Sequence, residues 1–196
     1  MTDTILLLSG GLDSSVLLYD LLAQGQTVTA LSLDYGQRHA IELAQAKRVA
    51  ALTRIKHTIL ELSSLSAIFQ GSSQTDWSIE VPKGHYAEES MKITIVPNRN
   101  MILLALATAL AISEKAGTIT YAAHQGDHAI YPDCRPEFIQ AFSGVLALCD
   151  YTPPRLLSPF ANKTKAEIVQ RGHALHVPFS CTWSCYNPQP YEQGWV

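Results

Sequence analysis

Leu8-Ser9-Gly10-Gly11-Leu12-Asp13-Ser14-Ser15 is the stretch that decides the fold, because it joins an apolar run to a helical one. The preceding run, residues 4–8, is apolar without alternation, which is typical of a strand buried on both faces. Residues 14–23 then follow a helical period. Two glycines allow the backbone to turn sharply, and the N–H groups of the following helix point back at the turn. The stretch therefore predicts an anion-binding loop.

The side chains of this loop agree with a phosphate ligand. Ser9, Ser14 and Ser15 add hydroxyl donors to the backbone N–H groups. Asp13 places a carboxylate beside the phosphates, which is favourable when a shared Mg²⁺ ion lies between them. The alternative is a plain strand-to-helix turn with a serine cap. The loop has neither the lysine of a Walker A sequence nor the three-glycine spacing of a dinucleotide fold.

Working outward from the loop, strands and helices alternate at roughly 30-residue spacing. This rhythm predicts an α/β fold, a doubly wound parallel sheet of about five strands with helices on both faces. Residues 63–96 are polar and irregular, and predict an excursion from the sheet. We expect one catalytic domain over residues 1–175 and a tail over 176–196. Strands are predicted at 27–33, 57–62 and 118–122, and helices at 38–54, 99–115, 136–148 and 164–171.

The composition favours a small-molecule enzyme. The net charge is −3, with no basic stripe of the kind that grips nucleic acid. The longest apolar stretch, Met101 to Ile112, is too short to cross a bilayer, and no charged-then-apolar leader follows Met1. We therefore expect a cytoplasmic protein with no direct nucleic-acid or membrane partner. The four cysteines are expected to be thiols or metal ligands and not disulfides.

Three further polar strings are candidates for substrate binding. Residues 34–39 (DYGQRH) follow the second strand, 97–100 (PNRN) begin the long helix, and 131–138 (YPDCRPEF) are dense in charged and cyclic residues. Carboxyl ends of parallel strands are where such sheets bind ligands. The alternatives are a loop with solvated charges, a helix cap made by Asn98, and a surface turn.

These strings, with 182–187 (TWSCYN), resemble the 7-cyano-7-deazaguanine synthase family, and the loop matches the SGGxDS signature of the PP-loop superfamily. The resemblance implies the adenine-nucleotide alpha-hydrolase-like fold, and ATP bound on residues Leu8 to Ser15 and cleaved between its α and β phosphates. It implies conversion of 7-carboxy-7-deazaguanine and ammonia to the nitrile in queuosine biosynthesis. It also implies Mg²⁺, and a homodimer.

The same resemblance implies roles for particular side chains. Asp13 lies near Mg²⁺, Lys165 neutralises phosphate charge, and Arg99 grips a phosphate or the substrate carboxylate. The predicted substrate-binding residues are Arg38, Asp133 and Glu137. For Lys165 an ordinary first-turn helix lysine is the alternative. For His124, His128, His173 and His176 we expect structural or surface roles.

The sequence departs from the family near its end. The family has a zinc site, and Cys185 stands where its first ligand is expected, but the later CGxCxxC run is absent. A closed zinc site needs four ligands. We therefore expect a shortened chain, with Zn²⁺ doubtful, Cys185 an orphaned ligand and Cys181 a packed thiol. Two alternatives stay open: another PP-loop enzyme such as a tRNA thiolase, and a non-catalytic ATP-binding remnant.

Overall fold

Five parallel strands form the central sheet of the computed structural model, in the order β3-β2-β1-β4-β5. The structure describes residues 2–37, 40–76, 78–82, 89–183, 190–191 and 194–195. The strands are β1 (Thr4–Leu7), β2 (Val28–Asp34), β3 (Lys56–Glu61), β4 (Thr118–Thr120) and β5 (Arg155–Leu157). A separate antiparallel pair joins β6 (Pro190–Tyr191) to β7 (Gly194–Trp195). The predicted parallel sheet of about five strands is confirmed.

Helices cover both faces of the sheet, because the strands are apolar on both sides. Ile5 and Leu7 of β1 pack into one core, and Leu6 and Leu8 pack into the other. Helices α3 and α4 cover the first face, while α1, α2 and α5 cover the second. The helices are α1 (Leu12–Ala23), α2 (Ala40–Thr53), α3 (Arg99–Glu114), α4 (Pro136–Leu146) and α5 (Lys165–Ala174). This is the doubly wound arrangement predicted from the alternation.

Helix α3 is a long apolar helix. The stretch Met91–Glu114 that contains it is long and apolar enough, by length and composition alone, to cross a membrane. Leu104, Ala107 and Ala111 of α3 are fully buried in the core beside β1 and β4. A core helix of this kind passes the same compositional test.

The sequence pattern did not locate the fifth strand, β5, because this strand has only three residues. Leu156 is buried, but Arg155 and Leu157 on either side are exposed. Such a short strand produces no hydrophobic run that distinguishes it from a loop. It pairs with β4 through Ile119 and Leu156.

The last helix, predicted at 164–171, continues to Ala174. Thr164 caps α5, because its hydroxyl accepts the Glu167 N–H while the Glu167 carboxylate accepts the Thr164 N–H. Gly172 lies inside the helix. A β-carbon at Gly172 would stand 2.7 Å from atoms of Phe179 and Val16, so this glycine permits close packing of α5 against α1.

The irregular segment 63–96 returns to the core after leaving β3. It contains two short 3-10 helices, Ser63–Ala67 and Glu89–Thr94. Phe69 and Met91 are buried among the residues of the α3 face. The Phe69 ring meets Tyr35 edge-on, at 5.5 Å between ring centroids. The segment therefore forms part of the wall that surrounds the carboxyl edge of the sheet.

Candidate active site

The loop after β1 lies at the carboxyl edge of the sheet, with the N-terminus of α1 behind it. Gly10 has a φ of 88°, which favours glycine. A β-carbon at Gly10 would fall 2.0 Å from the backbone oxygen of Glu42. Glycine is therefore required here twice, by the backbone conformation and by the close approach of helix α2.

The serine hydroxyls of the loop bind one another and the loop backbone. Ser9 Oγ lies 3.0 Å from Ser14 Oγ and accepts the Gly11 N–H at 3.1 Å, and Ser14 Oγ donates to the Gly11 carbonyl at 3.2 Å. Trp183 closes the far side of the loop, where its N–H donates to the Gly10 carbonyl at 3.0 Å. The result is a preformed concave turn at a helix N-terminus, which fits a phosphate group.

A cavity of about 560 Å³ opens beside the loop. Five of the eight predicted loop residues line it: Leu8, Ser9, Gly11, Asp13 and Ser14. Gly10, Leu12 and Ser15 do not line it, and Ser15 Oγ is buried without a partner among the described residues. Arg99 and Lys165 line the same cavity. The structure thus brings together three segments that are far apart in the sequence.

Asp13 and Lys165 form an ion pair at the mouth of the cavity. Lys165 Nζ donates to both carboxylate oxygens of Asp13, at 2.6 and 2.7 Å. The pair is partly solvated, since about half of the Lys165 side chain is exposed. One carboxylate together with nucleotide phosphates is a usual ligand set for Mg²⁺, so Asp13 fits such an ion. The described residues contain no group of three or more His, Cys, Asp or Glu that fits a metal.

His124 is a pocket residue that the sequence analysis assigned only a structural or surface role. It is 6% exposed, and its Nδ1 accepts the Gly126 N–H at 2.9 Å. The neutral ring therefore carries its proton on Nε2, which lies 3.8 Å from Asp13 and 3.7 Å from Asp127. The structural role is real, but the ring also lies against the Asp13 carboxylate. Its position just beyond the carboxyl end of β4 is the sequence signal that could have identified it as a site residue.

Arg99 lies on the second wall of the cavity, at the start of α3. Its guanidinium carbon is 5.9 Å from the centre of the Tyr131 ring. Asn98 has no side-chain capping bond. Instead the Asp133 carboxylate accepts the Asn100 N–H at 3.1 Å, within the first turn of the helix. Asp133 therefore positions the residues of the PNRN string relative to those of YPDCRPEF.

The remaining predicted site residues lie away from the cavity or outside the described chain. Asp133 does not line the cavity, and Glu137 is exposed on the first turn of α4. Arg38 and Cys185 lie outside the described residues. Their predicted substrate and zinc roles stay predictions. Cys181 is a buried free thiol in the core, as expected.

Three more cavity residues were missed because they belong to no recognisable string: Glu42, Gln74 and Tyr121. Burial raises the pKa of the Glu42 carboxyl to about 7, and the Arg99 guanidinium opposes that rise. Burial also raises the pKa of the Tyr121 hydroxyl. Raised pKa values inside a cleft are typical of functional sites.

Comparison with known proteins agrees with this architecture. A family model described as queuosine biosynthesis protein QueC matches residues 3–194. A 7-cyano-7-deazaguanine synthase of Pseudoalteromonas translucida is 50% identical over 183 residues, which cover 93% of this chain and 84% of the relative. One of Hahella chejuensis is 49% identical, over 93% of this chain and 79% of the relative.

Two solved structures share the fold at low sequence identity. The U34-tRNA thiolase NcsA of Methanococcus maripaludis has a TM-score of 0.59 at 14% identity, over 95% of this chain and 60% of that one. A 4-thiouridine synthetase in complex with RNA and ATP has a TM-score of 0.62 at 16% identity, over 93% and 42%. At identities this low, the structural likeness is evidence for a shared fold alone.

Proposed function

The chain belongs to the QueC family of queuosine biosynthesis proteins, and from that premise we propose that it converts 7-carboxy-7-deazaguanine and ammonia to 7-cyano-7-deazaguanine with ATP. The observation that carries the proposal is the family match over residues 3–194, with relatives about half identical that are named as synthases of this nitrile. The cavity beside an anion-binding loop supports it, because the reaction needs a nucleotide and a flat acid side by side.

The reaction proceeds in two activations. A substrate carboxylate oxygen attacks the α phosphorus of ATP and pyrophosphate leaves, which gives an acyl adenylate. Ammonia displaces AMP and forms the amide. The amide oxygen then attacks the α phosphorus of a second ATP and a second pyrophosphate leaves. Loss of that oxygen with AMP, together with the two amide protons, gives the nitrile. The protein's contribution is positioning and charge neutralisation.

The loop and the charged residues of the cavity divide these tasks. We assign the pyrophosphate end of ATP to the N–H groups and hydroxyls of residues 8–15. Asp13 would hold Mg²⁺, which supplies neutralisation of phosphate charge. Lys165 moves its ammonium from Asp13 toward the leaving pyrophosphate, and Arg99 binds the substrate carboxylate or a phosphate. The ion pair of 2.6 Å between Lys165 and Asp13 supports a shared site for both residues.

Some finer features are proposals of the same kind. A homodimer comes from the family resemblance, and a cytoplasmic location and no direct nucleic-acid partner come from the composition. Arg38, Asp133 and Glu137 remain candidates for substrate recognition, and Cys185 remains the candidate zinc ligand.

The test is incubation of the purified chain with ATP, Mg²⁺, ammonium and 7-carboxy-7-deazaguanine, with mass detection of nitrile, AMP and pyrophosphate. We expect all three products. Lys165→Met should lower the rate about 100-fold or more, because a charge that neutralises the leaving group is lost. The matched control is Lys163→Met, which removes an exposed lysine that pairs with Glu167 at 3.4 Å outside the cavity lining.

The outcomes separate the alternatives. ATP binding with no nitrile identifies a non-catalytic nucleotide-binding remnant. Nitrile formation that is equal in the Lys165 and Lys163 variants leaves the function standing and removes Lys165 from the mechanism.

A further inference from the structure

Two buried polar side chains of the cavity wall lack hydrogen-bond partners. Tyr121 and Gln74 are each 5% exposed, and neither Tyr121 Oη nor Gln74 Nε2 has a partner among the described residues. Several buried side-chain nitrogen and oxygen atoms of the described residues lack a hydrogen-bond partner, and only these two belong to residues that line the cavity. Buried polar atoms are nearly always paired, so each exception needs a physical reason.

Neighbouring polar groups on the same wall are satisfied. Tyr131 is 3% exposed, and its Oη lies 2.8 Å from Thr94 Oγ1. Asn100 Nδ2 donates to the Asp133 carbonyl at 3.3 Å. The wall is therefore built well enough to pair its own groups. A phenylalanine at position 121 would fill the same space without a buried hydroxyl, which makes the Tyr121 hydroxyl costly unless a ligand binds it.

Tyr121 lies at the point in the sheet where the strand order favours ligand binding. It directly follows β4, and β4 and β2 flank β1 on opposite sides. This is the switch point of the strand order, where open α/β sheets bind ligands. The Tyr121 N–H donates to the Leu157 carbonyl at 3.4 Å, so strand β5 fixes its backbone.

Gln74 is held in place by the returning part of segment 63–96. The Ser73 N–H donates to the Ile93 carbonyl at 2.8 Å, and the Gln74 N–H donates to Ser72 Oγ at 3.2 Å. The Asp76 N–H donates to the Ser72 carbonyl at 2.8 Å. The backbone that places Gln74 in the cavity lining is thus a fixed turn and not a loose loop.

The two groups are uncharged donors. An amide nitrogen only donates, and the Tyr121 hydroxyl stays protonated because burial disfavours its ionised form. Uncharged donors in an apolar wall suit a neutral carbonyl oxygen, whereas a carboxylate is matched better by a cation such as Arg99. We propose that Tyr121 and Gln74 bind the ring carbonyl of the planar heteroaromatic acid, and so form the ring-recognition subsite of this cavity.

This assignment rests on the proposed function, and ligand binding measured by calorimetry tests it. Tyr121→Phe and Gln74→Met should each weaken binding of 7-carboxy-7-deazaguanine about tenfold. Binding of the product nitrile should weaken by the same factor, because the nitrile keeps the ring and lacks the carboxylate. Binding of ATP should change less than about twofold, because its phosphates lie on the loop.

Matched controls come from unpaired groups outside the cavity lining. Thr120 Oγ1 and Gln45 Oε1 are buried without described partners but do not line the cavity. Thr120→Val and Gln45→Met should therefore leave both affinities unchanged. Tyr121→Phe should keep or raise the melting temperature of the ligand-free protein, whereas Tyr131→Phe should lower it by breaking the bond to Thr94.

Each outcome bears on the assignment. Unchanged affinity for acid and nitrile in Tyr121→Phe and Gln74→Met overturns it while the function stands. Weakened binding of the acid alone places the contact on the carboxylate and overturns the ring assignment. A wild-type protein that binds ATP but neither deazaguanine compound overturns this assignment and the proposed function together.

Discussion

Two regions of different construction line the same cavity. One is the loop at residues 8–15, and the other is a wall built from Gln74, Arg99, Tyr121 and Tyr131. The loop is continuous in sequence, and its hydroxyls bond to one another within five residues. The wall is assembled from four separate segments, and two of its polar atoms have no described partner. The proposed phosphate site is thus local, whereas the proposed site for the acid depends on tertiary structure.

The loop is broken most severely by Gly10→Ala. The substitution combines a φ of 88° with a β-carbon 2.0 Å from the Glu42 backbone oxygen. Left-handed strain and overpacking together should cost about 3–5 kcal/mol of unfolding free energy, measured by urea denaturation. Gly25→Ala is the matched control, because Gly25 has a φ of 77° but nothing within 4 Å. It should cost only about 1–2 kcal/mol. Equal losses in the two variants would show that helix α2 does not press on the loop.

The difference between the two regions also explains how much the sequence predicted. The loop, the parallel sheet and most helices follow from local patterns of glycine, serine and apolar residues, and the fold was predicted correctly. Lys165 was predicted beside the loop by family resemblance, and the structure places its ammonium on Asp13. Tyr121 and Gln74 were missed, because a single tyrosine or glutamine carries no local pattern and its burial depends on distant segments.

The N-terminus of α3 is another feature that depends on a distant segment of the chain. A cap made by the Asn98 side chain was the alternative interpretation of the PNRN string, because Asn is common at that position before a helix. The carboxylate that binds the α3 N-terminus is Asp133 instead, 33 residues farther along the chain from Asn100. Strand β5 was missed for a related reason, since its pairing with β4 and not its three residues defines it.

Glu42 links the loop and the wall, and its carboxyl titrates at different pH values in the folded and unfolded chain. Its backbone contacts the loop glycine, and its carboxyl faces the cavity with a pKa raised by burial from 4.5 to about 7. Between these values the folded protein keeps a proton that the unfolded chain has released. Stability present below pH 4.5 is therefore lost as the pH rises through about 7.

Glu42→Gln removes this titration. At pH 8 the variant should be more stable than the wild type by up to about 3 kcal/mol, and near pH 4.5 the two should be equal. The measurement is urea unfolding of both proteins at each pH. Glu137→Gln, a change at an exposed glutamate on the first turn of α4, is measured in parallel as the control. A constant offset between wild type and Glu42→Gln at all pH values would contradict a raised pKa.

The smallest expected effect concerns the wall itself, at Asp133. Because its carboxylate accepts the Asn100 N–H, Asp133→Ala should cost about 1–2 kcal/mol in unfolding free energy. Affinity for the deazaguanine acid should fall less than in Tyr121→Phe, since Asp133 does not line the cavity. Gln140→Ala serves as the control and should change neither quantity, because that side chain is exposed on α4 and lies outside the lining. If Asp133→Ala instead keeps full stability and loses acid binding, Asp133 reads the ligand directly, as the sequence predicted. The wall would then resemble the loop, with its recognition residues visible in one short string.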